Sequence, residues 1–256
     1  MDIVFSRPDG LVDVPTHYCP GCTHGIIHRL VGESLAEEGL VGRAVGVAPV
    51  GCAVLAYNYF NCDMFQAAHG RAPAVATGAK RARPELILFT YQGDGDLASI
   101  GMAEIVHSAN RGEKITVIFV NNAIYGMTGG QMAPTTMPGQ RTTTTPGGRD
   151  VNLCGYPVRV AELVASLTTP AFVARMAVHT PARVIQAKRA VRQAFAYQKA
   201  GTCFGLVELL STCPTNWGLS PLEACAWLEQ NMVPYYPIGV LKRPEDGPGP
   251  GKRGYD

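Results

Sequence analysis

The chain has 256 residues, 46% of them hydrophobic and 16% charged, with a formal net charge of +2 and a pI near 8.1. That suits one large α/β domain with an ample core, and it gives no electrostatic case for nucleic acid. No apolar run is long enough to cross a membrane, no apolar leader opens the chain, and eight cysteines are too sparse for a disulfide scaffold, so a cytoplasmic setting with reduced thiols is expected.

An N-terminal arm, residues 1–16, makes only a poor strand and leads into Cys19-Pro20-Gly21-Cys22. A helix is expected over 24–38, a strand over 43–47 and, past Cys52, a further helix over 53–65. His69-Gly70-Arg71 sits in the next loop, and the basic run Lys80-Arg81-Ala82-Arg83 reads as a solvated loop. Apolar residues 86–91 form a strand, helical periodicity follows over 97–109, and a second apolar strand covers 115–120. The Thr/Pro/Gly stretch 128–150 is longer than connections usually are, which favours a functional cover. A helix near 158–167 and a strand over 171–177 come next. Thr180 then caps a helix that begins with Pro181 and stops at Gly201. A strand over 204–210 delivers Cys213. His28 and His107 fall on helix surfaces. Beyond Pro237 the chain turns Gly/Pro-rich and is not expected to build a core. The division is a domain over 1–241 and a tail over 242–256 that contacts a partner. Strands and helices alternating in this way imply a predominantly parallel sheet with helices on both faces.

The chemistry concentrates where strands end. Gly93-Asp94-Gly95-Asp96 follows one strand and Asn121-Asn122 the next, with Asp94 and Asn122 28 positions apart, the size of a βαβ unit. Both residues then reach one sheet edge, where open α/β sheets bind ligands. A carboxylate, an amide oxygen and a free carbonyl at Ile124 are hard donors suited to a Mg²⁺ shared with a diphosphate. Cys52 and Cys213 also follow strands. With Cys19 and Cys22 they make four thiolates able to bind either Zn²⁺ or a [4Fe–4S] cluster. The CxxC alone is open to zinc, redox work or neither. Cys62, Cys154, Cys203 and Cys225 read as buried small apolar residues.

The spacing of GDG and NN resembles the thiamine diphosphate signature. Its continuation, NNAIYGMTGGQ at 121–131, then Ala133-Pro134-Thr135 and Thr143-Thr144-Thr145-Pro146, is similar to the β subunit of 2-oxoacid:ferredoxin oxidoreductases. CPGCTHG at 19–25, VGCA at 50–53 and STCPTNWG at 211–218 match that family's cluster-binding segments in order, and the resemblance runs from about residue 16 to about 241. It implies thiamine diphosphate with Mg²⁺ on Asp94, Asn122 and Ile124, and a [4Fe–4S] cluster on Cys19, Cys22, Cys52 and Cys213. It also implies cofactor contacts from Val50, Gly51, Cys52, Ala53, His69, Gly93, Gly95, Asp96, Gly126 and Met127. The loop led by Gly139-Gln140-Arg141 matches the family's cover over the active site. The implied reaction is a CoA-dependent oxidative decarboxylation of a 2-oxo acid, with electrons passing through the cluster to ferredoxin.

In the resembled family the glutamate that activates thiamine belongs to the α subunit, and nothing marks Glu33, Glu37, Glu38 or Glu104 as that acid. The chain is therefore expected to work only with an α subunit, alongside γ or δ subunits. Two alternatives stand beside this. A non-oxidative thiamine-dependent decarboxylase or synthase subunit needs no four-cysteine set. A non-catalytic iron–sulfur or zinc module leaves the GDGD and NN spacing unexplained. STCPTNWGLSP and MVPYYPIGV resemble members acting on 2-oxoisovalerate or 2-oxoglutarate. A dicarboxylate wants an extra cation, with Arg141 the candidate, whereas a branched chain wants the apolar lining that Met127 and Ile124 offer. The branched-chain acid is slightly favoured.

Overall fold

The computed structural model describes residues 6–246. Its strands are β1 (Ala44–Ala48), β2 (Asp63–Gln66), β3 (Ile87–Gly93), β4 (Thr116–Asn121), β5 (Ala171–Ala177), β6 (Phe204–Leu210) and β7 (Gly239–Lys242). They form one sheet in the order β2-β1-β3-β4-β6-β5-β7, parallel throughout except for β7, which runs antiparallel to β5. Every residue of β1, β4, β5 and β6 is buried, so these strands read as continuous apolar runs rather than alternating ones.

That burial is supplied from both sides. The helices are α1 (His24–Glu37), α2 (Ala72–Ala82), α3 (Met102–Asn110), α4 (Val151–Cys154), α5 (Val160–Ala165), α6 (Pro181–Lys199), α7 (Pro214–Trp217), α8 (Pro221–Trp227) and α9 (Val233–Tyr235). On one face Ile27 and Leu35 of α1 and Val191 and Phe195 of α6 pack on Phe89, Ile118 and Val207. On the other, Ala76, Ile105 and Val160 from α2, α3 and α5 pack on Leu88, Val117 and Leu206. The fold is the predominantly parallel α/β sheet that the sequence implies. A third cluster, with Ala123, Met137, Leu210, Leu228 and Tyr236, closes the carboxyl edge. Among the described residues no helix is long and apolar enough to cross a membrane.

Several local expectations give way to tertiary context. Residues 53–65 are not a helix: a 3₁₀ turn, Val54–Asn58, leads into β2, an exposed edge strand. Tyr59 and Phe60 turn inward, and pairing with β1 outweighs local helical preference. Nor is 80–83 a solvated loop. Lys80 and Arg81 occupy the last turn of α2, where cations suit the helix dipole. Arg81 also pairs with Glu113 at 2.5 Å. The stretch 97–109 is split into a π-helical turn, Asp96–Ile100, and α3. His28 is not on a helix surface but 2% exposed, its ring centre 3.7 Å from that of Phe60, and burial pushes its pKa down to about 3. Of the four remaining cysteines only Cys203 is buried; Cys62, Cys154 and Cys225 are half-buried. The chain past Pro237 still adds β7 to the sheet, whereas residues 247–256 of the expected tail lie outside the described residues.

Between β4 and α4 the chain has no regular helix or strand, and one side chain organises it. Arg149, 5% exposed, donates to the carbonyls of Ala133 (3.3 Å), Pro134 (2.9 Å), Thr136 (2.7 Å), Cys154 (3.1 Å), Gly155 (2.9 Å) and Tyr156 (3.1 Å). Charge-assisted donors of this kind are worth more than neutral ones. Arg149→Met is expected to lower stability by about 2–3 kcal/mol, because it leaves the carbonyls of Thr136, Cys154, Gly155 and Tyr156 without their charged donor. Urea unfolding would show the midpoint falling.

Candidate functional site

β1, β3, β4 and β6 end at the same edge, and the segments after them bring up Cys52, Asp94, Asn122 and Cys213. One cavity there is lined by Val50, Gly51, Cys52, His69, Gly93, Asp94, Gly95, Asp96, Asn122, Ile124, Gly126 and Met127, with His24, Tyr125 and Thr128. Of the cofactor and magnesium residues selected from the sequence, Ala53 alone is not in this wall; it is 1% exposed, in the core. Gly95 has a steric reason to be glycine, since a Cβ there would stand 2.2 Å from Cε1 of Tyr125.

The oxygen donors are close together. Asp94 is 2% exposed; its Oδ1 accepts from Gly95 N at 2.8 Å and its Oδ2 from Thr135 Oγ1 at 2.6 Å. Asn122 Oδ1 accepts from Ile124 N at 3.3 Å. The same oxygen position lies 2.8 Å from Ile124 O and 3.3 Å from Asp94 Oδ1, so three acceptors face one another. Turning the amide over would let its nitrogen donate to both; a cation would relieve the contact equally. Neighbouring oxygens on an octahedral Mg²⁺ with bonds of 2.0–2.1 Å stand about 2.9 Å apart. The donor set fits that ion. Ala123, between the two ligand positions, takes φ +57, the single non-glycine positive φ among the described residues, and its N–H is held by Asn121 Oδ1 at 3.2 Å.

Burial pushes the Asp94 carboxyl from its ordinary 3.8 up to about 6, although the donors from Thr135 and Gly95 pull it down. The folded, metal-free chain therefore holds this proton more tightly than the unfolded chain. Its contribution to stability is present below about pH 4 and is lost as pH rises through about 6, a cost of about 3 kcal/mol at neutral pH. Comparing metal-free wild type with Asp94→Asn in thermal unfolding should show the wild type losing ground across that interval.

Asp96 is fully engaged: Oδ1 accepts from Gly70 N at 2.6 Å and pairs with His69 Nδ1 at 2.5 Å, and Oδ2 accepts from Gln92 Nε2 at 2.6 Å. It orients His69, whose other ring nitrogen is left for the cavity. The sequence marks His24 only as a helix start. Its Nδ1 lies 3.0 Å from Tyr91 OH, and burial pushes its pKa down to about 3. Its position two residues after the CxxC was the available signal.

A second cavity, about 220 Å³, is lined by Cys19, Cys22, Cys52 and Cys213, and shares His24, Asn122, Gly126 and Met127 with the first. A Cβ at Gly126 would stand 3.2 Å from Cys52 Sγ and 3.6 Å from Cys213 Sγ. Asn216 Nδ2 donates to Cys213 Sγ at 3.3 Å. Burial, reinforced by the neighbouring sulfurs, pushes Cys22 to about 11 and Cys52 to about 12. Four thiolates here need a cationic partner. Among the described residues no three His, Cys, Asp or Glu side chains stand close enough to hold one metal ion. Four thiolates are the ligand set of either a tetrahedral zinc ion or a [4Fe–4S] cluster.

Other candidates lie elsewhere. Gly139, Gln140 and Arg141 line a separate cleft with Trp217 and Trp227, and Arg141 Nε donates to Pro146 O at 2.7 Å. Glu33, Glu37, Glu38 and Glu104 are paired with Arg29, Lys188, Arg192 and Arg71, at 2.6, 2.6, 2.9 and 2.7 Å, and none lines either cavity. His107 is exposed on α3.

Residues 49–204 match the family described as thiamine pyrophosphate enzyme, C-terminal TPP binding domain. Cys19, Cys22 and Cys213 fall outside that segment. The chain is 50% identical over 235 residues to the ketoisovalerate oxidoreductase subunit VorA of Methanothermobacter thermautotrophicus, covering 92% of this chain and 49% of that protein. It thus spans about half the length of that relative. Against the 2-oxoglutarate synthase subunit KorB of Methanocaldococcus jannaschii it is 34% identical over 239 residues, covering 90% of this chain and 82% of KorB. Among solved structures it resembles a chain of the 2-oxoglutarate:ferredoxin oxidoreductase from Magnetococcus marinus, bound to 2-oxoglutarate, coenzyme A and succinyl-CoA. The TM-score is 0.73 at 28% identity, over 87% of this chain and 72% of that one.

Proposed function

Because the chain belongs to the thiamine pyrophosphate enzymes, and within them to the β subunits of 2-oxoacid:ferredoxin oxidoreductases, we propose that it carries the cofactors of an enzyme that oxidatively decarboxylates a 2-oxo acid to an acyl-CoA. The observation that carries this reading is the shared wall: the Asp94 cavity and the four-cysteine cavity have His24, Cys52, Asn122, Gly126 and Met127 in common. Asp94, Asn122 and the Ile124 carbonyl would hold Mg²⁺ against the diphosphate of thiamine diphosphate, and Cys19, Cys22, Cys52 and Cys213 a [4Fe–4S] cluster. When bound, thiamine diphosphate stabilises the electron pair left by loss of CO₂, and a cluster beside it accepts electrons singly.

The chain's own residues position and shelter that chemistry. Asp96 fixes the His69 ring and so presents one nitrogen able to hold a proton at the cavity. Ile124 and Met127 give the wall an apolar section. Among the described residues no glutamate lines the cavity, which supports an activating glutamate on an α subunit. Val50 and Met127, both in the wall, are 42% and 55% exposed, an apolar surface suited to such a partner. Coenzyme A, ferredoxin and γ or δ subunits complete the proposed assembly, in the cytoplasm.

A branched-chain 2-oxo acid is favoured as substrate over 2-oxoglutarate. Among the described residues that line the cavity there is no Lys or Arg to take a second carboxylate, and Arg141 lines a separate cleft with its Nε on Pro146 O. The higher identity to a ketoisovalerate oxidoreductase subunit supports the same choice. The test is anaerobic purification with whatever co-purifies, assay of iron, sulfide and thiamine, and viologen reduction with each 2-oxo acid and coenzyme A. About four irons per chain with thiamine, and faster reduction with 2-oxoisovalerate, are expected. Thiamine without iron would turn the reading to a non-oxidative decarboxylase.

A further inference from the structure

Two routes leave the segments that carry the candidate magnesium ligands and meet at one buried cation, one through hydrogen bonds and the other through hydrogen bonds and a cation–π contact. Arg175, on β5, is fully buried. Its Nε donates to Glu208 Oε2 at 2.8 Å, and its terminal nitrogens donate to Glu162 at 2.8 and 2.5 Å. Glu208 Oε1 accepts from Asn121 Nδ2 at 2.7 Å, and Asn121 Oδ1 accepts from Ala123 N at 3.2 Å. Ala123 is the left-handed residue that turns the chain between Asn122 and Ile124. On the other side, the Arg175 guanidinium lies 5.0 Å from the centre of the Tyr236 ring. Tyr236 OH donates to Thr135 O at 3.2 Å, and Thr135 Oγ1 donates to Asp94 Oδ2 at 2.6 Å.

A buried ion pair is a poor device for stability, because apolar side chains of similar volume often do as well or better. A left-handed alanine costs strain and persists only where its surroundings over-determine it. Both oddities lie on one connected network that ends at the Asp94 carboxylate and at the N–H of Ala123, between Asn122 and Ile124. We infer that Arg175 and Glu208 are positioning residues that set the spacing of the Asp94, Asn122 and Ile124 oxygens. The inference rests on reading those oxygens as a magnesium diphosphate site. Arg175 reaches Asn122 and Ile124 through Glu208 and Asn121, and Asp94 through Tyr236 and Thr135.

The full chain, with any partners it retains, would be stripped of metal and thiamine and titrated with Mn²⁺ at saturating thiamine diphosphate, free Mn²⁺ being read by EPR. Arg175→Met combined with Glu208→Met removes both charges together and is expected to fold. Its Mn²⁺ dissociation constant should rise at least about tenfold, as losses behind metal ligands do. Its metal-free thermal midpoint should stay within about 8 °C of the wild type. Tyr236→Phe deletes a single hydroxyl and should weaken Mn²⁺ about threefold; it decides the matter if the double variant does not fold. Mn²⁺ affinity unchanged from wild type in the folded variants overturns the positioning role. Wild-type protein that binds no Mn²⁺ with thiamine diphosphate overturns the reading of the site instead.

Discussion

Asp94→Asn is expected to raise the apparent dissociation constant for Mg²⁺ and thiamine diphosphate at least about a thousandfold, or about 4 kcal/mol. Asp94 is the only carboxylate in the oxygen trio, and the other two donors are neutral. Asparagine keeps the volume and loses the charge that offsets the ion's dehydration. The variant should at the same time be more stable than wild type without cofactor at neutral pH, because the burial that pushes this carboxyl up to about 6 no longer acts on a charge. Opposite signs in binding and stability are hard to obtain from a merely structural residue. Calorimetric titration and thermal unfolding on one preparation measure both. Binding within tenfold of wild type would remove Asp94 from the metal.

Cys213→Ser is expected to abolish the cluster while leaving thiamine binding nearly intact. Cys213 is 7% exposed, and it lines the sulfur cavity without lining the Asp94 cavity. That makes it a cleaner choice than Cys52, which lines both. A serine oxygen is a hard donor in a site built for thiolates. Iron should fall from about four per chain to below one, with dye reduction lost and thiamine content unchanged. Iron retained in full would exclude Cys213 as a ligand. Thiamine lost with the iron would mean that the two cavities cannot be filled separately.

The convergence of Asp94 with Asn122, and of Cys52 with Cys213, was legible because a parallel sheet carries every strand end to one edge. Apolar runs gave those strands away: β5 and β6 lie over the residues that the pattern marked. The edge strand β2 carried no such mark, since its residues are mostly exposed and its only partner is β1. Small residues hid α2, whose buried side chains are two alanines, a proline and a threonine. His28 was misplaced because the periodicity of α1 does not reveal that Phe60 returns to cover it. The network behind the oxygens was beyond reading. Asn121 and Glu208 are 87 positions apart, and neither belongs to a motif that points at the other.

The six carbonyls held by Arg149 bear on how the site is reached. Long segments without helix or strand usually open cheaply, and lids are drawn from that end of the stability range. Here a single guanidinium takes the place of a hydrogen-bond ladder, and the backbone pairs Gly139 N to Arg149 O (2.9 Å) and Thr143 N to Gly130 O (2.9 Å) lock the same stretch. Its amides therefore belong with the sheet in their exchange with solvent, and the segment over Asp94 is a fixed roof. Below that roof the cavity wall carries two exposed large apolar side chains, Val50 and Met127.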